Sequence, residues 1–335
     1  MSELGQPAPP YTRSESVGGT APPAGAVACS RLSEEMAEPL AGTAAAAVTW
    51  LCIEQTGPYG PDAVRESHLD HAVGNELARR AASTAVRIQL IRRPGRHADD
   101  HHPGEPHDIF IAHTRPGATW LEHARIDDPA RLLELDFEAI AAGVQPGFGR
   151  RDDQPRLLVC TNGRRDVCCA IYGRPVAAAL AASYGETVWE TTHTGGHRFA
   201  PTAVLLPTGY LYGRLDTAFA GRLFDEAGAG RVESDRCRGR STWSPAGQVA
   251  ELAVRERAGG TALGPDDLSI DAEEHSDNGE WEIRVAARTG QTWMVRGREE
   301  ILAPERRTSC AKAPVSPSAN LVSGVSEVVT AGLSS

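Results

Sequence analysis

The chain has 335 residues, 41% of them hydrophobic and 23% charged. This is an ordinary globular composition, with room for about two domains of ~150 residues. A formal net charge of −10 argues against a chain whose main task is gripping nucleic acid. No stretch reaches the ~18–20 apolar residues of a membrane span, and the N-terminus lacks the basic, apolar, small-residue layout of a secretory signal, so the expected compartment is the cytoplasm.

Residues 1–27 are rich in Pro, Gly, Ser and Ala and read as a disordered tail. Val48 to Glu54 is the first strand, followed by a turn at Gly57 to Pro61, a helix over Asp62 to Ser83 and a strand over Val86 to Ile91. Asp108 to His113 and Thr119 to Ile126 form a strand pair, and Leu132 to Ala142 carries helical spacing up to Gly143. The polar run Gly149 to Pro155 marks a boundary, giving an α/β unit over 28–150 and a second over 151–310. In the second, Arg156 to Cys160 is a strand, Ala170 to Tyr184 a helix and Thr187 to Thr191 a strand. Ala203 to Leu206 and Tyr210 to Arg214 pair, and helices follow over Asp216 to Ala227 and Pro245 to Arg257, the latter capped by Ser244. Trp281 to Ala287 and Thr292 to Val295 are the last strands, and residues 311–335 read as a disordered tail. Alternating strands and helices of this kind predict an α/β fold.

Seven cysteines at positions 29, 52, 160, 168, 169, 237 and 310 are an odd, uneven set, more suited to metal or redox work than to a disulfide framework. The densest signal is Cys160-Thr-Asn-Gly-Arg-Arg-Asp-Val-Cys168-Cys169, followed by His193-Thr-Gly-Gly-His197. The cysteines lie between a strand and the start of a helix, where backbone N–H groups stabilise thiolate. The histidines lie where the next strand gives way to a glycine turn. In a parallel arrangement the two loops fall side by side at one end of the sheet, so two thiolates and two imidazoles converge on one metal centre. The spacing suits zinc or a 2Fe–2S cluster with mixed ligation, and does not choose between them.

These two segments, with Tyr212-Gly-Arg214, Glu38-Pro-Leu-Ala-Gly42-Thr, Glu54-Gln-Thr-Gly-Pro-Tyr-Gly60 and Gly239-Arg-Ser-Thr, resemble the sucrase/ferredoxin-like family. The resemblance implies a thioredoxin-like ferredoxin domain in the C-terminal half; the second α/β unit that precedes it is read separately, as a degenerate thioredoxin-like one or as another α/β unit. It implies a 2Fe–2S cluster on Cys160, Cys169, His193 and His197, with zinc as the alternative. The family pattern has Arg where this chain has Cys168, which makes Cys168 a possible substitute ligand. No pair of carboxylates placed for glycoside hydrolysis supports the sucrase half of the family name. The resulting expectation is a non-catalytic electron carrier working with an unidentified redox protein, without nucleic acid or a membrane span. The alternative is a zinc-stabilised thioredoxin-like binding module.

Two thiolates and two neutral imidazoles bring an oxidised 2Fe–2S core to zero net charge, against −2 with four thiolates. The potential is then expected toward the window of roughly −150 to +300 mV, falling with pH as the outer imidazole nitrogens ionise. Arg164, Arg165 and Arg198 raise it if they face the site, and Gly195 and Gly196 permit the tight turn between the histidines. His97, His101, His102 and His107 read as a solvated loop. Cys29, Cys52, Cys237 and Cys310, isolated in sequence, read as small buried residues. No nucleotide-binding glycine pattern follows a strand, which argues against a self-contained reductase.

Overall fold

A computed structural model describes residues 28–95, 104–259 and 262–328. The N-terminal tail expected over 1–27, and His97, His101 and His102, lie outside the described residues. The class is α/β. A short helix α1 (Cys29–Glu35) precedes a ten-stranded sheet made from both halves of the chain.

The first half contributes β1 (Thr49–Glu54), β2 (Val86–Arg92), β3 (His107–His113), β4 (Trp120–Ile126) and the two-residue β5 (Arg150–Arg151). The second contributes β6 (Arg156–Cys160), β7 (Val188–Thr191), β8 (Ala203–Leu206), β9 (Tyr210–Tyr212) and β10 (Cys237–Arg240). The order across the sheet is β10-β9-β8-β6-β7-β2-β1-β3-β4-β5. Each half runs the same way: a parallel pair (β1/β2, β6/β7), then an antiparallel strand on the far side of the first (β3, β8), then its hairpin partner (β4, β9). The halves meet edge to edge where β2 and β7 pair antiparallel over Ile91–Thr191 and Arg92–Glu190. The sheet therefore continues across the boundary drawn near Arg150.

Strands β1 and β6 are buried along their whole length, which is why they read as unbroken apolar runs rather than alternating ones. The helix expected over Asp62 to Ser83 is two, α2 (Ala63–Glu66) and α3 (His71–Ala82), because Asp70 caps a new start by accepting from Ala72 N and Val73 N. Likewise Leu132 to Ala142 divides into a 3-10 turn, Pro129–Glu134, and α4 (Phe137–Ala141), capped by Asp136. In the second half α5 (Val167–Tyr184) and α6 (Thr217–Gly228) cover one face of β6 to β9.

The C-terminal region corrects the sequence reading. Helix α7 (Pro245–Ala258) lies between β10 and a separate antiparallel sheet of β11 (Leu268–His275), β12 (Glu280–Ala287), β13 (Thr292–Ile301) and β14 (Ser318–Glu327). Trp281, Ile283, Val285, Trp293 and Val295 face the helix as a third layer. Residues 318–327, expected in a disordered tail, pair with β13 through Ile301–Ser318 to Trp293–Glu327. Their burial is slight, so their composition is that of an exposed edge strand and resembles a tail.

By length and composition Val167–Thr187 is apolar enough to cross a membrane, a property the sequence reading did not credit to it. In this fold Cys169, Gly173, Val176, Ala177 and Leu180 are buried within the protein.

Candidate metal centre

The centre is built at the C-terminal ends of β6 and β7. Cys160 ends β6, fully buried, its N–H donating to Thr202 O at 2.8 Å. The chain then turns through Asn162, whose side chain donates to Gly60 O (3.2 Å) and accepts from Arg165 N (3.3 Å). Asp166 caps α5 by accepting from Cys168 N at 3.1 Å, which places Cys169 in the first helical turn, where the unpaired N–H groups favour an anion. Helix and strand end can approach this closely because residue 173 is glycine: a Cβ there would sit 2.2 Å from Cys160 O.

The histidines come from the turn after β7. Gly195 and Gly196 both adopt positive φ, 88° and 69°, as the sequence reading expects of a turn that brings His193 and His197 to one side. His193 Nε2 and His197 Nδ1 are 3.3 Å apart. Beneath the turn, Arg238 of β10 donates to Gly195 O (2.9 Å) and Thr43 Oγ1 (3.0 Å). From β2, Arg87 donates to His193 O at 3.1 Å. Burial pushes Arg238 down to about 9.

The ligand atoms of Cys160, Cys169 and His193 lie within 4.8 Å of one another, with His197 against His193. The site's chemistry fits a metal group on three counts. Hydrogen bonding from Cys169, with His193 alongside, holds the Cys160 thiol well below the usual range, while Cys169 is pushed well above it. The pair thus already favours one thiolate. Burial, with the neighbouring His193, Arg165 and Arg198, pushes His197 down to about 3, so it is a neutral imidazole, the form that ligates. His193 Nδ1 is buried without a hydrogen-bond partner, an arrangement that costs free energy unless something binds there.

Exposure divides the centre. The two cysteines are sealed in the core, whereas both histidines border a cleft of about 980 Å³ between the halves. The lining of that cleft includes Arg65, Arg87, Arg165 and Lys312 among many alanines.

The structure gathers Cys160, Cys169, His193 and His197, and Cys168 goes elsewhere. Successive residues on a helix point about 100° apart, and Cys168 turns from Cys160 into a second group with Cys29, Cys310 and Asp166. Among the arginines, Arg164 is exposed and Arg165 lines the cleft. Arg198 pairs with the buried Glu38 at 2.6 Å. Arg238 is a fully buried guanidinium at the site that sequence reasoning missed. Its one signal was a lone arginine beside the quoted Gly239-Arg-Ser-Thr.

The chain is an α/β protein whose mixed sheet gathers thiols and an imidazole at its strand ends, a group that could hold a metal. The sequence matches the sucrase/ferredoxin-like family over residues 40–239, and the chain belongs to that family. The matched segment contains both ligand loops and stops before the C-terminal sheet. No curated protein and no solved structure matches the chain.

Proposed function

We propose that the chain is a one-electron carrier in which Cys160, Cys169, His193 and His197 hold a 2Fe–2S cluster. The observation that carries the reading is the donor set itself: two sealed thiols and two imidazoles at adjacent strand ends, one imidazole nitrogen buried and unpartnered. When bound, such a cluster supplies a one-electron couple at a higher potential than four-thiolate ligation gives. The recurrent strand order of both halves supports the thioredoxin-like reading of each.

The chain's own groups prepare that chemistry. Arg87 and Arg238 fix the carbonyls of His193 and Gly195, so the imidazoles are held before anything binds. Asp166 Oδ2 stands 3.7 Å from His197 Nε2, an acceptor next to the nitrogen whose proton is expected to leave as the pH rises. The cysteines are screened from water and the histidines face the cleft, so a partner protein would dock on the histidine side.

The test is absorption and EPR spectroscopy of protein purified without oxygen, before and after dithionite. Two irons and two sulfides per chain, a visible charge-transfer band and a potential falling with pH are expected. Three of the four ligand groups are compact enough for a single ion, which favours zinc as the second reading. A colourless protein with zinc at this centre would replace the electron carrier with a zinc-stabilised binding module.

A further inference from the structure

The second cysteine group is built from the two ends of the chain. Cys29 opens α1, Cys168 is in the first turn of α5, and Cys310 comes from the segment between β13 and β14. Their sulfurs form a closed triangle: Cys168–Cys310 3.3 Å, Cys310–Cys29 3.6 Å and Cys29–Cys168 3.8 Å. All three residues are buried, together with Asp166, whose Oδ2 lies 4.0 Å from Cys29 Sγ.

These distances choose a chemistry. A disulfide needs sulfurs about 2.05 Å apart, and three thiols cannot all pair. A tetrahedral ion with metal–sulfur bonds of ~2.3 Å sets its sulfurs about 3.8 Å apart, close to the triangle seen. We propose that Cys29, Cys168 and Cys310, with the Asp166 carboxylate, form a structural zinc site distinct from the Cys160 centre. Three thiols and a carboxylate close the coordination shell, as structural zinc sites do, and the thiol protons are released to solvent on binding.

The position explains what the ion would do. Asp166 also accepts from Cys310 N (3.0 Å), Ser309 Oγ (3.1 Å) and Cys168 N (3.1 Å), and it is the cap that orients the helix turn carrying Cys169. Zinc there staples the segment before β1 and the segment after β13 onto the loop that shapes the Cys160 centre. Cys29 and Cys310 both lie outside the family match at 40–239, so this staple belongs to the flanks of the chain. The Arg306–Glu38 pair at 3.1 Å, with Arg198 on the other oxygen of Glu38, anchors the same two flanks.

The experiment uses the full chain produced with zinc in the medium, washed free of loosely held metal and analysed for zinc and iron. About one zinc per chain is expected in the wild type and in Cys237→Ser, a buried cysteine in neither group, and almost none in Cys29→Ser or Cys310→Ser. A zinc content unchanged from the wild type in Cys310→Ser would place all of the metal at the Cys160 centre and overturn the proposal. So would a wild type without zinc, or one with a disulfide between any two of the three. If the variants do not fold, alkylation of the wild type with and without chelator decides. Chelator treatment should raise alkylation of Cys29, Cys168 and Cys310 but not of Cys52, and labelling indifferent to chelator overturns the site.

Discussion

Gly196 shows how one residue holds the centre in shape. Its φ of 69° and the Arg238 Nη2 atom, 2.2 Å from where a Cβ would stand, leave room for no side chain. Gly196→Ala is expected to displace Arg238 from the Gly195 carbonyl and to reduce metal retention severalfold, while the left-handed conformation costs only about 1 kcal/mol of stability. Metal content and a urea titration on the same sample separate the two effects. Equal loss of both would mean the turn matters for folding and not for the site. This glycine's role was legible, because a turn between two convergent histidines demands positive φ. Arg238 was not, since nothing local distinguishes a buried arginine from a solvated one.

His113 makes a pH-dependent contribution of its own, outside the Cys160 group. Its Nδ1 is 3.0 Å from Thr49 Oγ1, whose own proton goes to Ile140 O at 2.8 Å. Burial pushes the imidazole down to about 4 from an ordinary 6.5. The folded protein therefore resists a proton that the unfolded chain accepts. Stability from this residue is complete above about pH 6.5 and is lost as the pH falls toward 4, by up to about 3 kcal/mol. In urea titrations across that window, His113→Asn should lose less stability than the wild type. Parallel pH profiles would remove His113 as a cause.

At the scale of elements, α5 does most to define the centre. Consecutive cysteines near its start serve opposite sides because a helix turns about 100° per residue, which is why sequence alone left Cys168 and Cys169 as rivals. Gly173, one turn on, lets the helix lie against Cys160 O. Gly173→Ala adds helix propensity, worth up to about 1 kcal/mol, yet it should still destabilise the protein and loosen metal binding, because the added methyl meets backbone that cannot swing aside. A raised melting temperature with unchanged metal content would refute that. Elsewhere, the expected helices over 62–83 and 132–142 divide where Asp70 and Asp136 supply new caps, a signal present in the sequence but outweighed by continuous helical spacing. Strand β14 was read as tail for a physical reason: an edge strand with one face in water needs few apolar residues.

The whole molecule is organised by the junction of its halves. Only two residue pairs join β2 to β7, yet at that seam Arg92 and Glu190 form a buried ion pair at 2.7 Å, with Thr161 Oγ1 donating to Glu190 Oε2 at 2.9 Å. Arg93 lies over the Trp189 ring at 3.6 Å, so side chains of both halves interleave across the seam. Glu190→Gln leaves the Arg92 guanidinium buried without its counter-charge and should cost about 3 kcal/mol or more, measured by urea unfolding. A loss below about 0.5 kcal/mol would class the pair with surface bridges.

The amino-acid order alone determined the class and the run of most core strands and helices, and it singled out Cys160, Cys169, His193 and His197 as the candidate ligands. Those features rest on local periodicity, local caps and ligands clustered within two loops, all carried by neighbouring residues. Tertiary structure decided the rest: the joining of both halves into one sheet, the packing of the C-terminal sheet on α7, the burial of Arg238 under the glycine turn and the meeting of Cys29, Cys168 and Cys310. All but the packing on α7 bring together residues more than 40 apart in the chain. Such contacts depend on which faces the elements bury against one another, and no local pattern records that choice.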